Sequence, residues 1–179
     1  MPYSTPLLNP FRANILNAKL NQITKVSPMT VANLTAEASR LILRKFDEDT
    51  ALTLGQILVT LAQAENLPVV INIRTADRTL FHAALPGSAP LNDNWARRKS
   101  NVALMFQKSS LLVGAIMREK GSSLAGDGLP DADYADHGGA VPIWVKAVGM
   151  VAVATVSGLP QRDDHALVVR GIEALLAAT

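Results

Sequence analysis

Apolar positions along this chain repeat with two periods, one helical and one alternating, and the switches between them divide the sequence into elements. Leu34, Ala38, Leu41, Ile42 and Phe46 recur at helical spacing, and Asp47-Glu48-Asp49-Thr50 offers both a stop and an acidic first turn for a following helix. That helix carries a stripe of Ala51, Leu54, Leu58, Leu61 and Ala62 as far as about Asn66, and Pro68 ends it. β-Branched Val69 to Ile73 and then Thr79 to Ala84, joined through Thr75-Ala76-Asp77-Arg78, read as a hairpin. After the Pro86 to Pro90 loop, Asn92 or Asp93 caps a helix over Asn94 to Gln107, and Ser109 or Ser110 caps another that closes at Gly121. A long loop, Ser122 to Gly139, leads to a second apolar hairpin, Ala140 to Lys146 and Met150 to Ser157. A final helix starts at Pro160 with Asp163 and Asp164 in its first turn.

Hairpins separated by helices predict an α+β domain, an antiparallel sheet with helices packed on its faces, rather than a doubly wound one. Upstream, Pro2, Pro6 and Pro10 make the start irregular, and Phe11 to Val26 reads as a helix ending before Ser27-Pro28. The expected organisation is therefore an N-terminal arm or helical extension over 1–40 and an α+β domain over 41–179.

Composition sharpens this. Of 179 residues 49% are apolar and 18% charged, which excludes a disordered chain, and a net charge of +2 leaves no nucleic-acid footprint. So few charges leave apolar area on the surface, and such patches mark association, so a homo-oligomer is expected. The chain has no cysteine, which removes thiolate nucleophiles, disulfides and Cys-ligated metal. No apolar run approaches the roughly 18 residues of a membrane span. The first 36 residues hold Arg12, Lys19 and Lys25 but no acid, a bias shared with organelle transit peptides; a cytoplasmic location is the leading expectation.

Chemistry concentrates in two places. On the helix over 94–107, Trp95, Lys99, Val102, Ala103 and Phe106 share one arc about 100° wide, with Lys99 in its middle and Arg98 at its flank. An ammonium on an apolar face needs an anion or acceptors. Lys99 either snorkels to water, pairs with an internal Asp or Glu, or joins Arg98 in holding a carboxylate or phosphate over Trp95. The second place is His137-Gly138-Gly139, just before a strand, where glycine amides can approach an anion and the imidazole can donate, accept or ligate. The preceding acids do not form a calcium loop, because Ala135 and Asp136 stand where an oxygen ligand and a glycine are required. His82 and His165 fall among apolar neighbours and read as packed histidines, so no metal site is expected. Nucleophile-elbow, phosphate-loop, dinucleotide and zinc-protease motifs are absent.

Five blocks taken together carry a resemblance: Phe46 to Ala51, Phe81 to Gly87, Asn94 to Val102, Tyr134 to Gly139 and Thr155 to His165. In this order they resemble a family within the haem-degrading domain superfamily, the group of HbpS-like and GlcG-like proteins. The resemblance covers about Phe46 to Leu176. It implies a profilin-like α+β fold, an antiparallel sheet flanked by helices, assembled as dimers and larger rings. The family's recurring lysine falls on Lys99, its Gly-Gly on Gly138-Gly139, and its Val-Ser-Gly with a following acid on Val156-Ser157-Gly158 and Asp163-Asp164. Some relatives bind haem, and His137 stands here where proline is commoner.

The expected function is therefore binding of a small anionic metabolite or haem by an oligomer, through Trp95, Arg98, Lys99, His137, Gly138 and Gly139. Two alternatives stand beside it: a structural or interaction protein without ligand, and a haem-binding or haem-degrading enzyme using His137.

Overall fold

A computed structural model describes residues 29–178, so the helix expected over 11–26 lies outside the described residues. Helix α1 (Val31–Arg40) is capped by Thr30, whose hydroxyl accepts from Asn33 N. It is followed by a two-residue strand, β1 (Ile42–Leu43), and by α2 (Glu48–Ala64), capped by Asp47 through Thr50 N at 2.8 Å. Strands β2 (Val70–Arg74) and β3 (Thr79–Ala84) form the first hairpin. Helices α3 (Pro90–Phe106) and α4 (Ser110–Lys120) come next, then a single 3-10 turn at Ala125–Asp127 inside the long loop. Strands β4 (Ala140–Val145) and β5 (Gly149–Ser157) form the second hairpin, and α5 (Gln161–Ala178) ends the chain.

The two hairpins join through an antiparallel β2–β5 pairing into one sheet of order β1-β4-β5-β2-β3. The α+β class follows as expected, with one exception to the antiparallel rule: β1 pairs parallel with β4, Ile42 opposite Trp144 and Leu43 opposite Val145. The helix read through to Phe46 is thus corrected. It stops at Arg40, and Leu43 enters the core as a strand residue. A two-residue strand has no periodicity of its own, so its partner β4 defines it.

Alternation sorts the sheet into two faces. Ile71, Ile73, Val141, Ile143, Ala152, Ala154 and Val156 point to α2 and α5 and form the main core with Leu54, Leu58, Leu167 and Ile172. On the opposite face Val153 and Ala140 meet Ala103 of α3, and the buried Ser100 and Thr155 hydroxyls bond each other at 2.8 Å. Helix α4 packs outside α3, and α1 rests on α4 through Leu34, Leu111, Leu112 and Ala115.

Helix α3 begins at Pro90, four residues before the expected start, because proline suits the first helical position and the Asn92 side chain satisfies the preceding amide. The end of the long loop is set against α4 by a missing side chain. A Cβ at Gly114 would run into the carbonyl oxygen of Asp136, backbone that has no rotamer to yield. Gly114→Ala is therefore expected to lower stability by about 1–3 kcal/mol in chemical denaturation, an overpacking penalty. A change under about 0.5 kcal/mol would mean that the loop shifts freely.

Candidate functional site

Lys99 occupies the buried arc of α3 as expected, with 2% of its surface exposed. The anion from outside the chain that one reading required is not needed. Its ammonium donates three hydrogen bonds, to Gly138 O at 3.1 Å, Val156 O at 2.8 Å and Asp164 Oδ2 at 2.9 Å. Three N–H groups meet three acceptors, one of them a carboxylate, so the charge is matched internally. Both oxygens of Asp164 are engaged, since its Oδ1 accepts from Leu159 N at 3.0 Å. Burial pushes the Lys99 ammonium below its ordinary value while the Asp164 charge opposes that shift. Burial likewise pushes the Asp164 carboxyl up, against the attraction of Lys99.

Gly139 owes its identity to this pair. It has φ of +128°, and a Cβ there would collide with Lys99 Nζ and Val156 O. The Gly138 N–H, expected to greet an anion, instead donates to Gln161 Oε1 at 3.2 Å. The glycine pair therefore brings backbone up against the ammonium and α5, with the Gly138 amide already engaged.

Above the pair lies a pocket of about 220 Å³ whose lining includes Trp95, Lys99, His137, Gly138, Gln161 and Asp164. The structure thus gathers four of the six expected residues on one cavity. Of the other two, Arg98 stacks on Trp95, its guanidinium carbon 4.4 Å from the ring centroid, and Gly139 lies behind Lys99. His137 meets the same indole edge-on at 5.1 Å and 64°. Trp95 is thereby fixed by two neighbours, each able to carry positive charge. The His137 side chain is 53% exposed, and its Nδ1 lies 3.7 Å from Asp136 Oδ1.

Sequence reasoning missed the pocket's Gln161, read Asn92 only as a cap, and left Ser157 and Asp164, which the family's recurring Val-Ser-Gly and acid fall on, out of the expected site. A signal for Asp164 existed. It heads the stripe Leu167, Val168, Gly171, Ile172 and Leu175 at helical spacing, so its side chain had to face the core. His165 is buried as expected, its Nε2 2.7 Å from Glu37 Oε1 of α1. His82 differs: it is exposed and pairs with Asp93 at 3.2 Å. Among the described residues no three His, Asp or Glu side chains cluster as a metal ion would require, and no helix is long and apolar enough to cross a membrane.

The directions of the two shifts fix a sign. Asp164, raised from 3.8, lowers stability as pH climbs through its titration; Lys99, lowered from 10.5, lowers it as pH falls through its own. Near neutrality both charges are held at a desolvation cost that their mutual attraction and their hydrogen bonds offset. Lys99→Met alone should therefore destabilise by about 3–5 kcal/mol at pH 7, because it strands a buried carboxylate. Lys99→Met with Asp164→Leu should recover most of that loss in equilibrium unfolding. A double variant as unstable as the single one would refute the pairing.

Comparison with known proteins places the chain. Residues 46–173 match the model of a family described as HbpS-like, haem degrading protein HbpS-like. A UPF0303 protein of Streptomyces coelicolor is 48% identical over 145 residues, 80% of this chain and 92% of its own. One from Paraburkholderia xenovorans is 43% identical over 140 residues, 78% and 85% of the two chains. Among solved structures, that of the Ybr137w protein covers 94% of this chain and 96% of its own, with TM-score 0.75 and 28% identity. A complex titled PduOC:heme shares the fold, with TM-score 0.63 over 72% of this chain and 94% of its own, at 18% identity. The chain belongs to the HbpS-like family.

Proposed function

We propose that the protein binds a small anionic molecule in the pocket bounded by α3, the loop ending at Gly139 and the start of α5. The observation that carries this reading is the indole wall. Trp95 is clamped between Arg98 and His137 over a floor whose own charges cancel. Among the described residues Arg98 has no carboxylate partner, and its Nε is buried without a hydrogen bond. An unpaired guanidinium beside a cavity gives it a positive potential, which favours negative ligands. The anion is thus drawn by Arg98 rather than by Lys99.

Haem is the second reading, favoured by His137. Its imidazole is 53% exposed at the pocket, so a ring nitrogen is accessible as a metal ligand. The family description and the haem in the PduOC complex support it. A cavity of about 220 Å³ is below the roughly 300–1,000 Å³ of pockets that enclose drug-sized ligands, so haem could touch this site only along one edge. We also infer a homo-oligomer. Leu104, Met105, Trp144 and Met150 leave apolar surface on the α3 side of the sheet, which a second copy would cover.

Native mass spectrometry of protein purified from cells should reveal a retained small acid that Trp95→Ala loses. Identical masses before and after denaturing desalting would count against the reading. In parallel, micromolar haem should produce no Soret shift if the small-anion reading holds. A shift abolished by His137→Ala would give the site to haem instead.

A further inference from the structure

Resting on the reading that this pocket binds a small molecule, we propose that the ligand is recognised through an acceptor oxygen by the side-chain amides of Asn92 and Gln161. The selected class is a small monocarboxylate or carbonyl compound. Both side chains line the pocket, and both have the same peculiarity: the amide oxygen already serves the fold while the nitrogen does not. Asn92 Oδ1 accepts from Ala89 N at 2.8 Å, and Gln161 Oε1 accepts from Gly138 N at 3.2 Å. A planar amide whose oxygen is fixed has its NH2 group fixed with it. Neither NH2 group has a partner among the described residues. Two oriented, uncommitted double donors therefore flank one cavity.

The rest of the lining points the same way. The Trp95 indole N–H can only donate. The pocket's one carboxylate, Asp164, is ion-paired with Lys99 and also accepts from Leu159 N, so an amine ligand meets no unpaired negative charge. The pocket's one lysine is neutralised by that carboxylate. A second negative charge on the ligand would then lose its water without gaining a contacting cation, which a low-dielectric site penalises. Donors in surplus, with no free full charge in the floor, select an oxygen acceptor bearing at most one negative charge.

The two residues can be tested without disturbing their structural work. In Asn92→Asp and Gln161→Glu the retained oxygen still accepts from Ala89 N or Gly138 N, while the donor group becomes a second oxygen and the side chain gains a negative charge. Both positions lie in first turns of helices, where a new acid is favourable, so folding should be unimpaired. Four probes of similar length separate the chemistries: butyrate, butyramide, succinate and butylamine, titrated at millimolar concentration and followed by the Trp95 indole and Asn92 and Gln161 side-chain NMR signals. Butyrate and butyramide should shift these signals, with succinate and butylamine at least about tenfold weaker. Each variant should weaken butyramide, which carries no charge for the new carboxylate to repel, about tenfold or more while keeping the parent melting temperature. Butylamine or succinate binding as well as butyrate, or variants that bind butyramide unchanged, would overturn this assignment and leave the pocket intact as a binding site. No response to any probe, together with no retained molecule in native mass spectrometry, would remove the site itself.

Discussion

One ammonium group holds the functional end of this molecule together. Lys99 reaches from the middle of α3 and bonds the turn before β4, the last turn of β5 and the first turn of α5 with its three N–H groups. Three of the elements that bound the pocket therefore meet at a single atom. Burying a lysine and an aspartate together is expensive, so the pair adds little net stability over an apolar pair of the same volume. What the charged pair adds is direction: an ammonium satisfied by three specified acceptors allows only one arrangement of the segments that supply them.

The neighbouring residues adapt to that atom. Gly139 is bare so that backbone can pass beside Nζ, Gly138 gives its carbonyl to it, and Asp164 turns inward from the helix end it would otherwise only complement. With the charge consumed inside, the pocket above becomes a neutral-floored, donor-rich space with one aromatic wall. Arg98 stacks behind the indole, and His137 meets its edge. One cation, Lys99, thus builds the cavity, while a second, Arg98, stands behind its aromatic wall.

Much of this was legible beforehand. The order of helices and hairpins, the burial of Lys99 and the approach of His137 and Gly138 to the same region follow from periodicity and from the resemblance of five sequence blocks. The rest depended on contacts that no local pattern encodes. β1 exists because β4 offers an edge, and its residues continue the helical spacing of Leu34, Ala38 and Leu41 well enough to disguise it. The counter-ion of Lys99 lies 65 residues away, although the stripe that Asp164 heads shows that its side chain faces inward. Asn92 and Gln161 carry no sequence signal, since what matters is which end of each amide the fold has already engaged.

The most direct measurement is a crystal structure of protein purified without added ligand, refined with the pocket left empty. The account predicts residual density between Trp95, His137 and Gln161 that fits a small acid, with Lys99 Nζ still on Asp164. Density showing only water in the cavity, or Lys99 turned away from Asp164 to meet the bound molecule, would contradict it.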